Sequence, residues 1–205
     1  MTKNEYYRIL KLTWRVLLEC NITELPVKVS SICKHYNIEL VKYKDAIGAA
    51  KNVVNYHVKV KSDGFTAKQN GKYFVFYNDM CNPGRCRFTI AHELGHILLG
   101  HVPRNGLVNR EPSLNDDPIE QAANMFAARL LAPACVLYGC RVRTHEEIST
   151  LCNISLQSAR YRSERMKELR KRKKFFTIKT ERLVYEQFED YIKKNKLKGL
   201  KRLFF

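Results

Sequence analysis

No apolar run in this 205-residue sequence approaches membrane-spanning length, and its opening residues, Met-Thr-Lys-Asn-Glu-Tyr-Tyr, lack the apolar core of an export signal. Neither a membrane span nor secretion is expected, and the protein is expected in the cytoplasm. Acidic residues are scarce: 20 Asp and Glu stand against 37 Lys and Arg, a formal net charge of +17. Such an excess favours nucleic acid or an acidic protein as partner and says nothing about fold. It is concentrated in residues 160–205, where 17 basic residues accompany 6 acidic ones and Arg170-Lys-Arg-Lys-Lys174 is the densest stretch. Closely spaced cysteine pairs are also missing. The seven cysteines, an odd number without an export signal, read as reduced thiols. Cys81/Cys86 and Cys135/Cys140 share a spacing, but it is wider than that of the usual structural zinc pairs, so no second metal site is read from them.

What is present is His92-Glu-Leu-Gly-His96. Two imidazoles four residues apart lie ~40° apart around an α-helix, so both project from one face and can grip one metal ion. Glu93 is then placed to take a proton from a water activated by that ion. The metzincin extension is absent, because Leu99 and Val102 stand where it needs Gly and His. His101, five residues past His96, points to a different side of the helix.

A third ligand is sought downstream, in Glu120-Gln-Ala-Ala-Asn124-Met-Phe-Ala-Ala-Arg-Leu-Leu-Ala-Pro133. Ala123, Phe126, Ala127, Leu130 and Leu131 follow the spacing of a buried helical stripe. Glu120 and Asn124 fall on or beside it, one turn apart. A carboxylate facing a core is costly unless it has a partner. As a first-turn acid, Glu120 would merely complement the helix dipole; with two helical histidines upstream, a zinc ion meets its need better. Asn124 can accept a hydrogen bond from the far ring nitrogen of a ligating His.

These residues carry a resemblance. Cys86-Arg-Phe-Thr-Ile-Ala-His-Glu-Leu-Gly-His-Ile-Leu-Leu-Gly-His101 is similar to the signature of the ImmA/IrrE family of metallopeptidases. The block from Glu120 to Pro133 resembles that family's second one, and Leu25–Ile38 its N-terminal helix and turn. The resemblance spans about residues 20–165. It implies His92, His96 and Glu120 as ligands of one zinc ion, and Glu93 as catalytic acid/base. Mn2+ or another divalent ion also suits these donors. It further implies a zinc endopeptidase that cleaves or otherwise inactivates a helix-turn-helix repressor, often encoded next door on a mobile element, and so derepresses transcription. The alternative it leaves is a DNA-binding or repressor-sequestering regulator with a structural or sensory metal and no proteolysis.

The expected class is α+β: a zincin-like core over residues 1–133, then a basic, helix-turn-helix-like region over 134–205. Residues 4–19 read as an amphipathic helix with Tyr6, Leu10, Trp14, Leu17 and Leu18 inward. Pro26 is expected to open a second helix, Ile38–Tyr43 to form a strand, and 46–57 a helix. Two strands flank Asn70-Gly71, a type I′ turn pair, and residues 73–78 are expected to line the cleft as an edge strand offered to substrate. Residues 102–118 read as a loop bounding the active site. Thr144-His-Glu-Glu147 is a capping box, and the helix after Ser155 could carry Arg160, Arg162 and Arg165 to phosphates, a weak nucleic-acid contact. Residues 181–205 read as one last helix, with the terminal Leu-Phe-Phe packed on the core. Tyr138, His145 and Tyr161 are nominees for an oxyanion donor, with no choice among them.

Overall fold

The computed structural model describes residues 2–59, 61–102, 106–107 and 117–201. Its elements run α1 (Lys3–Glu19), α2 (Val29–His35), β1 (Ile38–Lys42), a 3-10 turn (Tyr43–Asp45), α3 (Gly48–Lys59), β2 (Gly64–Gln69), β3 (Lys72–Tyr77), α4 (Pro83–Leu98), β4 (Gly106–Leu107), α5 (Pro118–Leu131), α6 (Ala134–Gly139), α7 (His145–Cys152), α8 (Leu156–Lys171), α9 (Lys179–Gln187) and α10 (Glu189–Lys201). This is the expected α+β architecture, with a β-hairpin leading into the helix that carries His92 and His96. Backbone packing divides it into two compact units, one of residues 1–9 and 29–127, the other of 10–28 and 128–205.

In the first unit a mixed sheet is ordered β1-β3-β2-β4. β1 runs parallel to β3, while β2 is antiparallel to both β3 and β4. The hairpin turn uses Asn70 and Gly71 at φ +50° and +77°, as a type I′ turn requires. Strand alternation then gives the sheet two different faces. Phe65, Ala67 and Phe76 turn one way and pack with Tyr43, Ala46 and Val54 beneath α3. Phe65 and Phe76 are cross-strand partners whose rings stack at 4.7 Å. Gly64 and Thr66 turn the other way, onto α4.

β3 lies inside the sheet between β1 and β2, so both of its edges are paired and residues 73–78 cannot accept a substrate strand. The expectation of an edge strand there is corrected: a hairpin shows which strands are neighbours, and the parallel partner β1 comes from far upstream. Pro26 does not open α2. Leu25, Val27 and Val29 are buried while Pro26 and Lys28 between them are exposed. The chain bends over Glu24–Pro26 and the helix starts only at Val29. The buried face of α1 is also turned slightly from the expected one, toward Ile9, Thr13, Trp14, Val16 and Leu17. Of the loop expected over 102–118, most lies outside the described residues, as does the terminal Leu-Phe-Phe.

The second unit is helical. α7 opens with the expected capping box of Thr144 and Glu147, and α8 is capped by Ser155. The last helix is two helices, α9 and α10, with a turn at Phe188. The Gln187 amide donates to the Leu17 and Ile22 carbonyls at 2.8 and 2.7 Å, pinning the end of α9 to the end of α1. One apolar stretch, Pro118–Gly139, does reach the length and hydropathy of a membrane span, contrary to expectation. Its most apolar window is 72% buried, and Pro133 splits it into α5 and α6, so its composition is that of core.

Gln187→Leu removes the donor from two carbonyls at once. Urea denaturation is expected to show a loss of about 1–3 kcal/mol.

Candidate metal centre

α4 and α5 begin in the same way. Asn82 precedes Pro83, and its side chain accepts the Arg85 N–H at 2.9 Å. Asp117 precedes Pro118, and its side chain accepts the Ile119 N–H at 2.8 Å. A capping side chain followed by a proline, whose missing N–H costs nothing at that position, fixes where each helix starts. The phase of the side chains that follow is thereby set. On α4, Glu93 and His96 fall on the buried side; on α5, Ala123, Phe126, Ala127 and Leu130 are wholly buried, as their spacing predicts.

The two helices meet at Gly95. A Cβ there would lie 3.1 Å from the Phe126 ring and 3.3 Å from the Ala123 backbone. Their close approach brings His92, His96 and Glu120 together. The two Nε2 atoms are 2.9 Å apart, and the Glu120 oxygens lie 3.2 Å from His92 Nε2 and 3.3 Å from His96 Nε2. A tetrahedral ion with bonds of about 2.0–2.1 Å holds its ligand atoms about 3.3 Å from one another. Two imidazole nitrogens and a carboxylate at this spacing can hold a divalent metal ion. Among the described residues, no fourth His, Cys, Asp or Glu joins this cluster.

Each group is held from behind. Asn124 Oδ1 lies 2.9 Å from His92 Nδ1. An amide oxygen only accepts, so this contact puts a ring proton on Nδ1, and in the neutral ring it is the Nε2 lone pair that would face a metal ion. The nearly buried Glu93 receives a hydrogen bond from the Thr66 hydroxyl of β2 at 2.7 Å. His101 Nδ1 lies 3.2 Å from His96 Nδ1. Sequence reasoning missed both Thr66 and His101. Nothing in the sequence marks Thr66, because its link to Glu93 passes through the sheet. A continued helix would turn His101 away, but α4 ends before it.

The charges respond to this proximity. Hydrogen bonds from His92 and His96 hold the Glu120 carboxyl far below its ordinary 4.5. For His92, burial pushes the pKa down, but the Glu120 hydrogen bond, the Glu93 charge and Asn124 together raise it above its ordinary 6.5.

The other nominated residues belong to the second unit. Tyr138 stacks on Phe175 at 4.2 Å, His145 pairs with Glu146 at 2.9 Å, and Tyr161 is 72% exposed. Arg162 is buried rather than displayed. It shares the inward face of α8 with Ala159, Ser163 and Met166 and feels the buried Glu181. The seven cysteines are free thiols.

A comparison with protein families matches residues 52–164, more than half of the chain, to Peptidase_M78, the IrrE N-terminal-like domain. No curated protein matches.

Gly95→Val should force α4 from α5, destabilising the protein by about 1–3 kcal/mol and weakening metal uptake, both measurable by titration calorimetry and thermal melts. The metal-free protein should show a pH window. Glu120, with its depressed pKa, contributes stability that is complete above 4.5 and lost as pH falls toward its folded value. His92, with its raised pKa, contributes stability that is complete below 6.5 and lost as pH rises through its folded value. The pair is therefore expected to stabilise most between these two values, and Glu120→Gln should flatten the profile of melting temperature against pH.

Proposed function

Because the chain belongs to the ImmA/IrrE family of metallopeptidases, we propose that it is a zinc-dependent endopeptidase that cuts a helix-turn-helix repressor and so derepresses transcription. The observation that carries the peptidase reading is Glu93. It is buried beside His92, His96 and Glu120, and Thr66 holds its Oε2. A buried carboxylate oriented by a hydroxyl beside a cluster of metal-binding donors suits proton transfer. The three-donor cluster agrees, since structural zinc sites are usually closed by four protein ligands, commonly with cysteine.

His92, His96 and Glu120 would hold the ion. When bound, it supplies Lewis acidity for a scissile carbonyl and makes water a nucleophile near neutral pH. Glu93 accepts the proton of the attacking water on Oε1, while Thr66 keeps the carboxylate from rotating. Glu93 then delivers that proton to the leaving amine. Asn124 keeps His92 in the ligating tautomer throughout.

Repressor as substrate rests on family membership, and the net charge of +17 suits a partner with an acidic surface. The exposed run Lys171–Lys174 supports a secondary, salt-sensitive contact with nucleic acid, on which the peptidase reading does not depend. Seven free thiols suit a cytoplasmic setting.

The test is incubation of the zinc-loaded protein with the helix-turn-helix repressor encoded beside it, followed by mass mapping of fragments. Wild type is expected to make one defined cut. Glu93→Gln should keep its zinc and lose cleavage by at least about 100-fold. Undiminished cleavage by Glu93→Gln would overturn the role of Glu93. Binding of an intact repressor by the wild type would replace cleavage with sequestration.

A further inference from the structure

The end of α4 is built in a particular way. Leu99 is the C-cap, and Gly100 follows at φ +79°. The Gly100 N–H donates to the Ile97 carbonyl at 3.1 Å and the His101 N–H to the His96 carbonyl at 2.9 Å. Those two bonds, together with a left-handed glycine just past the cap, make a Schellman motif. The motif folds the second residue past the cap back over the residue three positions before the cap, and a hydrophobic pair normally fills that contact. Here the pair is His101 and His96, with ring centroids 5.3 Å apart and Nδ1 atoms 3.2 Å apart.

His96 Nε2 faces Glu120 and His92 at 3.3 and 2.9 Å. A ring that presents Nε2 to a metal carries its proton on Nδ1 and needs an acceptor behind it. For His92 that acceptor is Asn124, reached across from α5. On the reading of this cluster as a metal centre, we propose that His101 is the corresponding positioning residue for His96. His101 Nδ1 accepts the Nδ1–H of His96, fixing its tautomer and ring orientation. The helix cap is thus part of the metal site: Gly100 supplies the backbone turn, and His101 supplies the acceptor. His101 is no ligand in this scheme, and its ring lies outside the cluster of donor atoms. The sequence pattern that encodes it is His96 followed four and five residues later by Gly100 and His101.

The test is zinc affinity of the full chain, measured without substrate by competition with a chromophoric chelator. His101→Leu puts an apolar residue where the motif ordinarily has one, so the cap survives while the acceptor is lost. Zinc should bind about 10- to 100-fold more weakly, with the melting temperature of the metal-free protein unchanged. His101→Gln restores an acceptor oxygen and should recover most of the affinity. Wild-type affinity in the leucine variant, or equal losses in both variants, overturns the proposal. A second measurement needs no variant: nitrogen-15 spectra of zinc-loaded wild type should show His96 protonated on Nδ1 and His101 unprotonated there, and a protonated His101 Nδ1 overturns the proposal. Failure of the wild-type chain to take up zinc at all is a different result, since it removes the metal centre itself and this inference with it.

Discussion

The distance between α4 and α5 governs the site. Gly95 has no side chain, and Ala123 opposite has almost none, so the two backbones approach until Phe126 closes over the contact. Only at that spacing does a carboxylate in the first turn of α5 reach two imidazoles on α4. The approach also makes the cluster costly as protein alone, because two rings and an acid converge in a place where His96 is 2% exposed. Polar groups in such surroundings interact strongly and must be satisfied completely. The hydrogen bonds within the cluster do part of this, and a divalent cation held by the three donors would do the rest.

The same logic extends outward along rigid elements. α4 rests on β2, where Gly64 lets the strand come close: a Cβ there would collide with the Thr89 side chain of α4. Strand alternation then turns Thr66 to the α4 side and its neighbours Phe65 and Ala67 into the aromatic layer beneath α3. Glu93 is therefore oriented by a sheet whose own stability comes from its opposite face. His92 is braced from α5 and His96 from the cap of its own helix. Three different kinds of structure hold three neighbouring side chains.

Much of the local structure was legible because its causes are local. The Asn-Gly turn, the capping box at Thr144 and the apolar stripe from Ala123 to Leu131 each depend on residues within two turns of one another, and all appear as expected. The misreadings share a different origin. Pro26 reads as a helix start because that is a common place for proline, yet the chain bends there with Leu25 and Val27 buried, and α2 begins only at Val29. β3 reads as an edge from sequence because its partner β1 lies more than 30 residues upstream. One helix was read over 181–205 because its apolar periodicity continues, whereas Gln187 is tied to residues 165 and 170 positions away. Arg162 was assigned to the surface by its charge, while its position on α8 turns it inward.

By itself, the sequence determined the pair of histidines on one helical face, the acid between them and the helix that carries Glu120, since helical periodicity and capping need no more than neighbouring residues. Tertiary structure alone decided that Glu120 reaches both rings, that Thr66 meets Glu93 and that β3 is internal, because these depend on which surfaces bury against each other. His101 lies between the two cases. Its glycine and its spacing from His96 are local, but its meaning emerged only when the helix was seen to end at Leu98 and turn its next histidine back onto a candidate ligand.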